Sequence, residues 1–194
     1  MTNKIAHHFN LILASRSPRR QELLHSLGFD FEIRVRPVDE SFPDYLSMQE
    51  VALYLCEKKA DAFNKGELAP NELVITADTI VCVDNEILNK PDDRIHAIEM
   101  LQKLSGRKHS VITGVCLKSS QKQHSFYDST DVYFRKMSLE EIEFYVDHFQ
   151  PFDKAGAYGI QEWIGCAAIE KIDGSYFNVV GLPTALLYKE LLTF

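Results

Sequence analysis

The chain has 194 residues, enough to bury a sizeable core as one domain or two closely packed lobes, and its 45% hydrophobic and 25% charged residues exclude a disordered polymer. A formal net charge of −7 excludes a nucleic-acid binder working through a broad basic surface, while leaving room for a local basic pocket. Cys56, Cys82, Cys116 and Cys166 are far apart, lack C-x-x-C spacing and sit in apolar runs, which reads as buried free thiols in a reducing cytoplasm. The leading MTNKIAHHFN has neither a long apolar core nor a small-residue cleavage site, so His7 and His8 read as a solvated tail rather than a metal site. No stretch is long enough to cross a bilayer, and the expectation is a soluble protein.

In chain order, Leu11 to Ala14 read as a short buried strand, and Gln21 to Leu27 as a helix begun by Ser17 as cap and Pro18 at the first helical position. FEIRVRPV alternates like a strand, and SMQEVALYLCEKKADAFNKG reads as a helix with a Ser47/Glu50 capping box, ending near Gly66. LVITADTIVCV, a turn at Asp84 and Asn85, and EIL form a predicted hairpin. PDDRIHAIEMLQKLSG is a helix entered through Pro91 and stopped around Gly106. HSVITGVCLKSS and HSFYDSTDVYFRKM read as two long paired strands, followed by the helix LEEIEFYVDHF, capped by Ser138 and Glu141. QPFDKAGAYGIQEWIG is a glycine-rich loop, CAAIEKI a strand, Asp173 and Gly174 a turn, and GLPTALLYKELL a last helix starting near Pro183. Helices and strands alternate without a strict βαβ rhythm, which favours an α/β fold with a mixed sheet and flanking helices.

Several residues sit where composition and periodicity alone do not explain them. The Ser15 to Arg20 turn offers backbone N–H groups and two arginines, Arg19 and Arg20, at the positive end of a helix; it is either a phosphate grip or a capped surface helix. It has neither the P-loop pattern nor the Gly-x-Gly-x-x-Gly of a dinucleotide fold. Lys59 projects near the middle of the apolar face defined by Val51, Ala52, Leu55, Cys56, Ala62 and Phe63, and needs an anionic partner or must snorkel out. Asp78 interrupts an apolar strand, which points to a catalytic, metal-binding or hydrogen-bonding carboxylate. Asp39 and Glu40 are oxygen ligands for a hard divalent cation or a solvated acid pair, and Lys90, ahead of Pro91, is an anion partner or a surface residue. In DKAGAYGIQ, Gly156 and Gly159 allow close backbone approach, Tyr158 offers a stacking ring and Gln161 a donor with an acceptor. Phosphate grips, a buried carboxylate and a base-sized polar reader together suggest a nucleoside triphosphate.

LILASRSPRRQELL, EKKA, TADTIV, NKP, KLSG, DKAGAYGIQ and GSYFNVVGLP, in this order over nearly the whole chain, resemble the Maf family of nucleotide pyrophosphatases. The resemblance implies a single domain over residues 1–194, with two lobes around a cleft and a mixed, strongly curved sheet related to the inosine triphosphate pyrophosphatase fold. It implies hydrolysis between the α and β phosphates, giving monophosphate and pyrophosphate, with a divalent cation, magnesium or manganese, at Glu40 and Asp78. Asp78 is then the proton acceptor, and Ser15, Arg19, Arg20, Lys59 and Lys90 hold the phosphates. Arg19, Thr79 and Gln161 match the branch acting on dTTP and UTP, whereas the 7-methyl-GTP branch carries Gln after the aspartate and Glu in place of the last Gln. Glu162 and Trp163 depart from the small residues of many relatives at these positions. The resemblance further implies a cytoplasmic homodimer whose partner is a nucleoside triphosphate rather than a nucleic-acid polymer or a membrane. The two competing readings are a broader house-cleaning pyrophosphatase for modified nucleotides and a nucleotide-binding cell-division regulator without turnover.

Overall fold

The structure is a computed structural model describing residues 9–194, so His7 and His8 lie outside the described residues. Its seven strands are β1 (Asn10–Leu13), β2 (Phe31–Ile33), β3 (Glu72–Val83), β4 (Glu86–Leu88), β5 (Lys108–Lys118), β6 (Gln123–Phe134) and β7 (Ile169–Asp173). The helices are α1 (Pro18–Ser26), α2 (Met48–Asp61), α3 (Arg94–Leu104), α4 (Leu139–Phe149), α5 (Trp163–Ala168), α6 (Tyr176–Val180) and α7 (Thr184–Thr193). The strands make one sheet in the order β2-β1-β3-β5-β6-β7, with β4 paired to β3. β1 runs parallel to both β2 and β3, whereas the β3–β4 and β6–β7 pairs are antiparallel, so the sheet is mixed as expected. No helix among the described residues is long and apolar enough to cross a membrane.

The chain divides into two compact units built from non-contiguous segments. The first comprises residues up to Asp78, Thr113–Asp128 and Gly181–Phe194; the second comprises Thr79–Ile112 and Ser129–Val180. In the first unit, Ile12, Phe63, Leu68 and Val74 form one apolar cluster, and Cys56, Ala60 and Cys116 another. α2 lies hard against β5, because a Cβ at Gly114 would fall 2.2 Å from the Ala52 carbonyl oxygen; only glycine fits there. In the second unit, Leu88, Leu101, Leu104, Val132, Phe134, Ile142, Tyr145, Val146 and Ile164 belong to one large core.

Local signals set most boundaries. Ser17 caps α1 by accepting from the Arg20 N–H, with Pro18 at the start. Both capping boxes form, Ser47 with Glu50 and Ser138 with Glu141. The β3–β4 turn holds Asp84 and Asn85 at φ 50° and 64°, the left-handed pair that suits a tight hairpin.

Five expectations change. β2 stops at Ile33, because Pro37 has no N–H for a ladder and Arg36 turns its guanidinium to the Ala62 carbonyl and to Glu67. α2 ends at Asp61 rather than near Gly66, since Phe63 turns into the cluster with Ile12 and Val74. α3 begins at Arg94, where Asp93 accepts from the His96 N–H at 2.8 Å, so a side-chain cap rather than Pro91 sets its start. CAA of CAAIEKI closes α5, and pairing with β6 begins only at Ile169. All four cysteines are free, but Cys166 on α5 is exposed rather than buried.

Candidate active site

β1 runs into the Ser15 turn, and Ser15 is buried, with its hydroxyl accepting from the Ser17 N–H at 3.2 Å and its carbonyl from Gln21 Nε2 at 3.4 Å. From the first turn of α1, half-buried Arg20 donates Nε to the Gly181 carbonyl at 2.8 Å and a terminal N–H to the Ala77 carbonyl at 2.9 Å. Two of its five donors therefore fasten the helix start to the backbone immediately before Asp78. Burial pushes the Arg20 guanidinium below its ordinary value, Asp78 pulls it up, and the neighbouring charge of Arg19 pushes it further down. It stays a cation, because arginine begins so far above neutrality.

Lys59 has the anionic partner that its place on the apolar face requires. Its ammonium donates to Asp78 Oδ1 and lies 2.9 Å from Glu40 Oε1, with the lysine and aspartate side chains 16% and 13% exposed. α2 is held in register for this contact: Thr76, two residues before Asp78 on β3, donates its hydroxyl to the Cys56 carbonyl at 2.6 Å. The loop bearing Glu40 is pinned one residue away, where Lys58 Nζ donates to the Ser41 carbonyl at 2.9 Å and to Asp39 Oδ2 at 3.3 Å. Ser41 and Lys58 together hold the Asp39 carboxyl below the usual range. Adjacent lysines on one helix thus take adjacent acids on one loop.

The first unit holds Ser15, Arg19, Arg20, Glu40, Lys59 and Asp78; of these, Lys59 meets Asp78 and Glu40, and Arg20 lies near Asp78, with Arg19 half-buried next to it in the chain. Thr79, Lys90 and Gln161 belong to the second unit. Thr79 is half-buried, and Lys90 and Gln161 are exposed. Within that unit the Gly156 N–H donates to the Asn89 carbonyl at 3.2 Å, tying the loop that carries Lys90 to the glycine-rich loop that carries Gln161. Gly156 adopts φ 67°, and a Cβ there would meet Val81 Cγ1 at 2.9 Å, so both backbone and space demand glycine.

Tyr158 is not a stacking platform for a ligand. It is buried, its hydroxyl pairs with His109 Nε2 at 2.8 Å, and its ring meets Phe134 edge-on at 5.0 Å. Alternating glycines made that ring look presentable, but its neighbours come from β5 and β6. Thr76 and Lys154 also escaped the sequence reading as members of polar networks. For Lys154 a signal existed, a lysine inside DKAGAYGIQ; for Thr76, a hydroxyl in an apolar strand.

Glu40 and Asp78 offer two hard carboxylate oxygen donors converging on one ammonium. Among the described residues no group of three or more metal-ligating side chains occurs. A pair of carboxylates nonetheless suits magnesium or manganese that takes its remaining ligands from phosphate oxygens and water.

A solved structure of a nucleoside-triphosphatase, also named a dITP/XTP pyrophosphatase, from Mycobacterium abscessus aligns over 66% of this chain and 76% of its own, with 17% identity and a TM-score of 0.42. Sequence relatives are far nearer. A protein named dTTP/UTP pyrophosphatase from Bacteroides fragilis is 52% identical over 184 residues, 94% of this chain and 95% of its own. One of the same name from Flavobacterium psychrophilum is 50% identical over 192 residues, 99% of this chain and 98% of its own. The family model described as Maf-like protein matches residues 10–194, a span that takes in the Ser15 turn, the Lys59–Asp78–Glu40 contact and the glycine-rich loop alike. The chain belongs to the Maf-like protein family.

Proposed function

We propose that the chain, acting as one domain, is a nucleoside triphosphate pyrophosphatase that hydrolyses dTTP and UTP to the monophosphate and pyrophosphate. The observation that carries the reading is a half-buried strand carboxylate, Asp78, held by Lys59 and lying beside Arg20, in a chain half identical to relatives named dTTP/UTP pyrophosphatase. Asp78 accepts the proton of the attacking water, a task that needs a carboxylate oriented before the reaction begins. Lys59 orients it and balances part of its charge. Ser15, Arg19, Arg20 and Lys90 bind phosphate oxygens, where fixed cations stabilise the charge that develops on the leaving pyrophosphate. Thr79, Arg19 and Gln161 select the base.

Glu40 and Asp78 would hold magnesium or manganese, which when bound polarises phosphate oxygens and offsets their charge. The same reading puts the protein in the cytoplasm as a homodimer, the latter open to direct measurement by light scattering on a sizing column.

The test is pyrophosphate release from dTTP, UTP, CTP, GTP, 7-methyl-GTP and ITP with magnesium or manganese, beside an Asp78→Asn variant. Preferred cleavage of dTTP and UTP that vanishes in the variant is the expected result. Cleavage led by ITP or 7-methyl-GTP would replace the pyrimidine assignment, and binding without cleavage of any nucleotide would overturn the enzyme reading.

A further inference from the structure

The second unit holds its own lysine between two carboxylates. Lys154 is 8% exposed, and its ammonium lies 2.8 Å from Asp153 Oδ1 and 3.0 Å from Glu162 Oε1. The other oxygen of Glu162 accepts from the Tyr145 hydroxyl, and that hydroxyl oxygen accepts the Gly159 N–H at 3.0 Å. Tyr145 is fully buried in α4 and stacked against Phe149, with ring centroids 5.2 Å apart. A charge this far from water persists only when its hydrogen bonds are made, so the network is rigid by necessity.

What the network closes is a four-residue turn. The Glu162 N–H donates to the Gly159 carbonyl at 3.0 Å, while the side chains of Glu162 and Tyr145 grip both ends. A Cβ at Gly159 would fall 2.9 Å from Glu162 Cδ and 3.0 Å from Lys154 Cε, so the turn and its anchors are packed together. Of the two residues between, Ile160 is buried and Gln161 is exposed. The turn therefore presents one side chain, and it is an amide.

An amide sets a donor beside an acceptor, and a half-turn exchanges them. Discriminating the imide edge of thymine or uracil, a donor between two acceptors, from the amino edge of cytosine depends on how that amide is held. We infer that Glu162, anchored by Lys154 and Tyr145, is a positioning residue that sets base selection by fixing the turn that presents Gln161. The inference rests on the reading of Gln161 as a base-selecting residue, and it assigns a role to the glutamate that follows it.

The experiment compares kcat and KM for dTTP and CTP in the wild type, Glu162→Ala, Glu162→Gln and Tyr145→Phe, each checked for folding, and repeats Glu162→Ala in a Gln161→Ala background. Glu162→Ala and Tyr145→Phe should raise KM for dTTP about tenfold and lower the dTTP over CTP preference similarly, with kcat within about threefold. Glu162→Gln still accepts from Tyr145 and should fall between them and the wild type. With Gln161 already removed, Glu162→Ala should change the preference by less than about twofold, since the two act as a unit. Unchanged preference in folded Glu162 and Tyr145 variants, or an equal effect with and without Gln161, overturns the inference while wild-type turnover of dTTP leaves the proposed function standing. A wild type that cleaves neither dTTP nor UTP overturns both. Should Glu162→Ala fail to fold, Glu162→Gln and Tyr145→Phe decide the question.

Discussion

The two units repeat one electrostatic arrangement, a lysine between two carboxylates, and put it to different ends. Lys59 lies between Asp78 and Glu40, and Lys154 between Asp153 and Glu162; in each case one acid is mostly buried and the other about half exposed. Exposure does not separate them. Their other partners do: both oxygens of Glu162 are engaged, one by the ammonium and one by a phenol that also takes a backbone N–H, whereas Lys59 meets Asp78 through Oδ1 beside a second cation, Arg20. Glu162 thus holds a chain segment in place through an ammonium and a phenol, whereas Asp78 lies beside two cations, Lys59 and Arg20.

Neutral isosteres at the two acids test that contrast most sharply. Asp78→Asn should cut dTTP turnover about a thousandfold, the scale of a lost general base, with little change in unfolding temperature. Glu162→Gln should leave kcat within about threefold and act on base preference instead. Comparable losses of kcat at both positions would erase the distinction.

A backbone change reaches the first site indirectly. Gly114→Ala places a Cβ 2.2 Å from the Ala52 carbonyl oxygen, which α2 can accommodate only by moving off β5. The expected cost is about 3 kcal/mol in denaturant unfolding, with Lys59 displaced along with the helix and activity lost beyond what stability explains. Full activity in a destabilised variant would show that Lys59 needs no fixed helix.

Acid acts on the second unit first. Burial pushes the His109 imidazole from 6.5 to about 4. Between those values the unfolded chain binds a proton that the folded chain refuses, so stability is complete above the unfolded value and falls as pH drops through the window. By pH 5 the loss should be about 2 kcal/mol in urea unfolding, and His109→Gln should abolish that slope. Glu141, held at about 2 by Arg135 and the Ser138 backbone, loses its contribution only at still lower pH. Smallest of all is the exposed pair of Arg94 with Asp147: Arg94→Ala should leave the unfolding midpoint unchanged, since exposed ion pairs contribute little.

Elements begun by local chemistry were legible in the sequence. Ser17 with Pro18, Ser47 with Glu50, Ser138 with Glu141 and the Asp84–Asn85 turn act within a few residues and survive into the structure unchanged. Elements decided by distant neighbours were misjudged: β2 is cut short, and α6 went unseen although its Asn178 is fully buried, donating to the Val111 carbonyl and the Thr130 hydroxyl. Lys59 and Asp78 were legible as residues in need of partners, one from its place on an apolar helix face and one from its place in an apolar strand. Tyr145 was not, because its ring satisfies the periodicity of α4 and nothing in that pattern announces its hydroxyl.

The sequence by itself determined the types of the longer elements, the mixed α/β class, the family and the unusual charges, since periodicity, caps and motif order are short-range or cumulative properties of the chain. Only the tertiary structure decided that Lys59 meets Asp78 and Glu40 together, that Arg20 is fastened to the backbone beside Asp78, and that Tyr145 and Glu162 clamp the Gln161 turn. Those pairings depend on where packing brings helix, strand and loop, down to a glycine with no room for a methyl group. A buried charge announces that it needs a partner, and the fold chooses which.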